Sequence, residues 1–299
     1  MIEYIDRQNG QLCKEEVYGE AALQFLYGNS LLSRWIGRPL AHFVARAPFI
    51  SKTYAYFQNT AASRKKIKPF IEQYGVDTKE FAAPIEEFSS FNDFFIRKLT
   101  VEARPIAPGA NVAIMPADGR YLFYQDIDQA DGFIIKGKKF SLTELLQDSD
   151  LAQEYSGGTL ILARLCPSDY HRFHFPCACI PGKTHLINGL LFSVNPWALK
   201  RNVDIFTQNR RTLCQLETDR FGKVVYMEVG ATNVGSIHET YTPYHSVAKG
   251  AEKGYFSFGG SALVLLFKKG AITLDPDLVA TPHTEIRCLF GQSLGRAQN

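Results

Sequence analysis

Apolar positions recur at mixed three- and four-residue spacings through the first third of the chain, and in short unbroken runs after it. Glu15–Leu32 and Pro39–Phe57 carry the first pattern, which predicts amphipathic helices punctuated by Gly28, Gly37 and Pro39. Arg64–Tyr74 predicts another, with Ile67, Phe70 and Ile71 on one side, and Phe91–Leu99 a fourth, opening after the capping residues Ser89 and Ser90. Arg104–Gly109, with Pro105 and Pro108, reads as a hinge. Beyond it Tyr121–Tyr124, Thr159–Leu165, Leu190–Val194, Val224–Val229 and Leu263–Phe267 are runs of β-branched, aromatic or Leu residues bounded by turn formers, which predicts strands. A short helix at Ser141–Leu146 interrupts them. The sum is an α+β chain: a helical region over residues 1–105, then a β-rich, mostly antiparallel domain over 106–299.

Composition changes this picture in one place. Hydrophobic residues at 45% and charged residues at 21% exclude a disordered chain. The run Ala262–Phe267 is too short to cross a bilayer, and Met1–Gln11 carries Glu3, Asp6 and Arg7 with no apolar block. The expectation is a cytoplasmic or cytoplasm-facing protein. Its six cysteines then read as reduced thiols, and the Cys177-x-Cys179 pair as structural rather than metal-binding. The net charge of +3 hides a strong asymmetry, because Ala21–Ile71 has no Asp or Glu and eight basic residues. Aromatic and aliphatic residues such as Phe25, Trp35, Phe43, Tyr56 and Phe57 interleave with them. That mixture suits an anionic membrane surface, where apolar burial and phosphate attraction add. It equally suits a helical subdomain packed on the rest of the protein, whereas no nucleic-acid-binding module accompanies the charge.

Three clusters could carry chemistry. Gly259-Gly260-Ser261-Ala262 enters a strand, and two glycines remove both Cβ atoms where a serine could approach its own preceding carbonyl. The same pattern is commonly no more than a turn. Asp169-Tyr170-His171-Arg172-Phe173-His174 offers two imidazoles three residues apart, suited to a catalytic pocket or to one packed and one solvated histidine. Pro116-Ala117-Asp118-Gly119 is a turn that could hold a carboxylate against an imidazole. Together they supply the acid, base and hydroxyl of a triad.

In order and separation these stretches resemble the bacterial phosphatidylserine decarboxylase proenzymes. The resemblance runs through Phe91–Arg97 with Arg104-Pro105-Ile106, Pro116–Gly119, Ile135–Leu142, Asp169–Pro176, Leu191–Pro196, Asn209-Arg210-Arg211, Val229–Ile237 and Gly259–Ser261. It implies that Ser261 becomes a covalent pyruvoyl group and that Gly260 is left at a new C-terminus, giving chains 1–260 and 261–299. It further implies that Asp118 and His174 drive this self-cleavage, and that His171 stands near the substrate with Asp169 supporting it. The implied activity is decarboxylation of phosphatidylserine to phosphatidylethanolamine through a Schiff base with the pyruvoyl carbonyl, the electron sink that no ordinary side chain supplies. The implied partners are the lipid, an anionic membrane held peripherally at its cytoplasmic face, and the two cleaved chains with each other; a homodimer is left open, and no nucleic acid is expected. Residue 262 departs from the pattern, with Ala where the family usually has Thr.

Three other readings compete with this one. Ser261, His174 and Asp118 could serve a serine hydrolase, although the G-x-S-x-G elbow is absent. The β-rich part could be a non-catalytic module tethered to membranes by basic helices. A pyruvoyl decarboxylase of a soluble amino acid is the third.

Overall fold

The structure, a computed structural model, describes residues 3–16, 19–28, 30–127, 141–194, 196–199, 205–231, 237–259 and 261–298. Gly260, Asn195, and the 135–140 and 232–236 parts of two stretches quoted above lie outside the described residues.

The strands in chain order are β1 (Glu3–Asp6), β2 (Gln11–Lys14), β3 (Val112–Ile114), β4 (Gly119–Tyr124), β5 (Thr159–Leu165), β6 (Arg172–His174), β7 (Ile180–Pro181) and β8 (His185–Ile187). They continue as β9 (Arg211–Thr218), β10 (Gly222–Gly230), β11 (Ile237–Glu239), β12 (Glu252–Phe256), β13 (Ser261–Phe267), β14 (Ile272–Leu274), β15 (Glu285–Cys288) and β16 (Ser293–Ala297). The main sheet runs β2-β1-β15-β4-β5-β13-β10-β9-β7, with β8 also on β9. Its pairings are antiparallel except β1 on β15. Two small sheets, β11-β12-β6 and β14-β16-β3, accompany it. The chain is thus mixed α and β, dominated by an antiparallel sheet.

Strand β13 shows why the sequence folds this way. A strand buried on both faces reads as a continuous apolar run, and alternate residues enter opposite layers. Leu263, Leu265 and Phe267 join Phe173, Tyr226 and Phe256 in one core layer. Ala262, Val264 and Leu266 join Leu145, Tyr155 and Phe206 in the other. Each fully buried Leu contributes about 1.5–3 kcal/mol, so this strand is anchored from both sides.

The helices are shorter than their periodicity suggests. In the first third they are α1 (Glu20–Tyr27), α2 (Arg38–Arg46), α3 (Pro48–Gln58), α4 (Ile67–Tyr74) and α5 (Phe91–Phe95), with a π-helical turn at Ser33–Gly37 and a 3-10 turn at Ala61–Lys66. The expected helix Pro39–Phe57 breaks at Ala47, whose backbone leaves the helical region ahead of Pro48. Helix α5 starts where expected, the Ser90 hydroxyl accepting the Asp93 N–H at 3.1 Å. Helix α6 (Leu142–Leu146) is capped the same way by Ser141.

Two expectations change. Residues 3–14 form a hairpin in the main sheet rather than part of a helical region. Leu190–Val194 is irregular: the Asn209 side chain takes both the Phe192 N–H (3.0 Å) and its carbonyl (2.8 Å), replacing a ladder partner.

An aromatic cluster of Phe70, Phe81, Phe88, Phe91, Phe94 and Phe95 ties α4 and α5 to Phe258, three residues before Ser261. Helix α2 is inverted in character, with Ala41 and Ala45 packed inward while Leu40 and Phe43 stay exposed. Among the described residues no helix is long and apolar enough to cross a membrane.

Candidate active site

Ser261 opens β13 in the centre of the main sheet, in register with Gly230 on β10 and Leu165 on β5. It is fully buried, and its side chain alternates with Ala262 onto the Phe173–Tyr226 side. Gly259 has φ 146°, a conformation that disfavours any side chain, so a glycine is needed where the chain turns into the strand. The Ser261 hydroxyl Oγ lies 3.5 Å from Nδ1 of His171.

The tautomer of His171 follows from its other nitrogen. Nε2 lies 3.0 Å from the Cys166 carbonyl, which can only accept, so Nε2 carries the proton and the Nδ1 lone pair faces Ser261. The same carbonyl accepts the Asp169 N–H at 2.8 Å, closing a turn from Cys166 to Asp169. His171 is fully buried with its ring stacked on Phe95 at 3.8 Å. Burial pulls its pKa down to about 3, with Asp169 opposing and Arg97 reinforcing the shift. At neutral pH it is an uncharged imidazole with an unprotonated nitrogen beside the hydroxyl.

Carboxylates hold this arrangement through arginines. Asp169 accepts the Cys166 N–H at 2.7 Å and both short bonds from Arg120, at 2.6 and 2.8 Å. Burial pushes the Asp169 carboxyl up, but Arg120 and the Cys166 N–H outweigh it and hold it low. Asp118 pairs with Arg104 (2.7 Å from Nη2) and accepts the Phe290 N–H at 2.8 Å. Arg104 reaches Glu80 with its remaining N–H groups, at 2.8 and 2.9 Å.

The second imidazole has a different set of partners. His174 Nδ1 donates to the Gly250 carbonyl at 3.0 Å, leaving Nε2 to face the Tyr170 hydroxyl at 3.4 Å. Its ring stacks on Phe290 at 3.7 Å, and burial pulls its pKa down to about 4, only partly offset by the Gly250 bond.

The fold therefore brings His171 to Ser261. It places His174 with Tyr170, Gly250 and Phe290, and Asp118 with Arg104 and the Phe290 backbone, so that Phe290 is the neighbour these two share. Ala262 points into the apolar layer behind the strand, away from the His171 side. Sequence reasoning assigned no role to Phe95, Arg97, Arg104, Arg120, Tyr170 or Phe290. Most of these stand in stretches that carried the resemblance, Arg120 follows one directly, and an arginine placed regularly beside such a stretch was the available signal.

The site is thus a buried serine at a glycine turn, facing the unprotonated nitrogen of an imidazole that is stacked on Phe95. The phosphatidylserine decarboxylase family profile matches residues 91–296. Over 298 residues the chain is 48% identical to a phosphatidylserine decarboxylase proenzyme of Chlamydia pneumoniae, covering 99% of this chain and 97% of that one. A proenzyme of the same name from Chlamydia caviae is also 48% identical (99% and 98% covered), and one from Chlamydia felis is 46% identical (99% and 98% covered). The chain belongs to the phosphatidylserine decarboxylase family.

Proposed function

We infer that the chain is the precursor of a phosphatidylserine decarboxylase that makes its own pyruvoyl group from Ser261. The observation that carries this reading is the buried Ser261 hydroxyl facing the Nδ1 lone pair of His171, two residues after Gly259, which is held at positive φ. A separation of 3.5 Å is long for a committed proton transfer, and catalytic hydrogen bonds commonly tighten on the way to the transition state.

Maturation balances with the groups at hand. Oγ adds to the carbonyl carbon of residue 260 and the C–N bond breaks, giving an ester and a free amine at residue 261. Loss of the Cα proton and of the residue-260 carboxylate leaves a dehydroalanine. Water then replaces its nitrogen, and ammonia departs. The ketone so formed supplies the electron sink for decarboxylation.

The remaining steps belong to side chains. His171 is the proton carrier at the reacting carbon in turnover, because the Cys166 carbonyl fixes its tautomer and Phe95 fixes its plane. His171, the imidazole that faces Ser261, is also the group placed to take the hydroxyl proton in the cleavage, and Asp118 and His174 support that step from around Phe290, the neighbour they share. Burial of this whole wall excludes water from the carbanion-like stage, which protects it from stray protonation.

The small chain stays bound after the cut. Its strand β13 lies between β5 and β10, β15 lies between β1 and β4, and β16 pairs with β3. The exposed Leu31, Trp35, Ile36, Phe43, Tyr56 and Phe57, with Arg34 and Arg46 among them, form the surface that seats the enzyme peripherally on an anionic membrane at its cytoplasmic face.

Intact-mass spectrometry tests the central claim. The active enzyme should contain chains 1–260 and 261–299, the smaller with a ketone terminus, and Ser261→Ala should stay uncut and inactive. Activity in a full-length, uncut chain would end this reading. His171→Gln should lose at least about a hundredfold in turnover, the scale of a general acid–base contribution. Its mass separates the two duties: an uncut chain gives the Ser261 proton to His171 in cleavage as well, whereas a cut chain moves that step to His174 and Asp118.

A further inference from the structure

Arg97 is a buried cation whose partners do not account for it. It is 4% exposed, and its Nη2 donates to the carbonyls of Ser168 (3.1 Å) and Asp169 (3.3 Å). Its Nε and Nη1 are buried and meet no acceptor. The rings of Phe81 and Phe94 lie 5.2 and 5.0 Å from the guanidinium carbon, which favours the charge but offers no acceptor for these N–H groups. The carboxylates whose charge it feels are engaged elsewhere, Asp118 with Arg104 at 2.7 Å and Asp169 with Arg120 at 2.6 Å. A buried guanidinium with unmet N–H groups is costly, and it calls for an acceptor that the described residues do not supply.

Its position says which anion. Phe95, two residues earlier, stacks on His171, and Asp169, whose carbonyl Arg97 holds, lies two residues before His171. The cation thus brackets the imidazole that faces Ser261. Phosphatidylserine carries two anionic groups. Its carboxylate must give up its charge as carbon dioxide leaves, so a clamp on it would stabilise the ground state over the transition state. Its phosphodiester keeps its charge throughout and is joined to the reacting carbon by only a methylene and an ester oxygen. A charged guanidinium N–H that has no other acceptor suits that group.

We propose that Arg97 binds the phosphodiester of the serine headgroup through one of its unpaired N–H groups, and so restricts the site to phospholipid serine over the free amino acid. The proposal rests on Ser261 being the reacting residue.

Arg97→Lys keeps a charge and a donor for the turn but loses the unpaired N–H groups. Intact mass reports cleavage, and inhibition of phosphatidylserine turnover in mixed micelles by glycerophosphoethanolamine and by L-serine reports the two anionic subsites. The expected variant is cut, its KM for phosphatidylserine rises about tenfold, the equivalent of one charge-assisted hydrogen bond. Inhibition by glycerophosphoethanolamine weakens equally, and inhibition by L-serine does not change. Unchanged affinity for glycerophosphoethanolamine would overturn the proposal, as would a loss confined to L-serine, which would move Arg97 to the carboxylate. An uncut variant would also overturn it, by assigning the guanidinium to the Ser168–His171 turn. A wild-type small chain without a ketone terminus would instead refute the reading of Ser261, independently of Arg97.

Discussion

Asp118→Ala should leave the chain uncut and measurably less stable, and the two effects can be told apart. Asp118 is buried, and its carboxylate holds Arg104 with contacts of 2.7–3.2 Å and accepts the Phe290 N–H at 2.8 Å. Breaking a buried pair from one side costs about 3–5 kcal/mol. Arg104 keeps Glu80, which is 34% exposed, so the lower end of that range applies to the charge. The orphaned Phe290 N–H adds about 1–3 kcal/mol. A total of about 4–6 kcal/mol corresponds to a fall in Tm of roughly 6–10 °C for a chain of this size. Cleavage fails because Phe290, freed at its backbone, no longer fixes the ring of His174 on which it stacks. Asp118→Asn retains an acceptor for Phe290 and should lose less stability. Glu80→Gln removes the other carboxylate from the same guanidinium, and should be cut normally at a cost of about 1 kcal/mol or less. The assays are intact mass after expression and thermal unfolding in an uncut Ser261→Ala background. Wild-type cleavage and a Tm within a degree for Asp118→Ala would refute the argument.

Acid should destabilise the fold well above the carboxylate range. His171 and His174 have folded pKa values lowered to about 3 and 4, so below the unfolded value near 6.5 the unfolded chain binds more protons. Their stabilisation is complete above pH 6.5 and declines as pH falls toward 4 and then 3, by about 2 kcal/mol each at pH 5, reading as a urea midpoint that drops between pH 7 and 5 and drops less in His171→Gln. Lys253 and Glu228 are fully buried 2.6 Å apart, so Lys253→Met should cost about 3–5 kcal/mol in urea unfolding, whereas Lys253→Met with Glu228→Leu should recover most of it. Trp35→Ser, on an exposed side chain, should weaken flotation with anionic vesicles while leaving cleavage and unfolding unchanged.

What the sequence made legible follows physical range. β5 was readable to the residue and β13 nearly so, because a doubly buried strand must be a continuous apolar run. The Ser90 cap of α5 was readable because the bond it makes is local. The hairpin at residues 3–14 was not, since Glu-Tyr-Ile-Asp becomes a strand only by pairing with Glu285–Arg287 at the far end of the chain. The site divides the same way. Ser261, His171, His174 and Asp118 could be picked out by type and order, but which imidazole meets the serine depends on a carbonyl at Cys166 and a ring at Phe95. The arginines Arg104 and Arg120 could not be matched to their acids, because sequence pattern does not encode which distant carboxylate a long side chain will reach.

The seat of the small chain in mid-sheet has a thermodynamic consequence. Before the cut, unfolding is an event within one molecule; afterwards it releases two, and its reverse is a second-order encounter. Melting of the processed enzyme should then shift upward with protein concentration, while the Ser261→Ala chain melts at one temperature whatever its dilution. Once denatured, the processed form has also lost the covalent tether that first guided β13 between its neighbours, so the fold can be written once and is hard to write again.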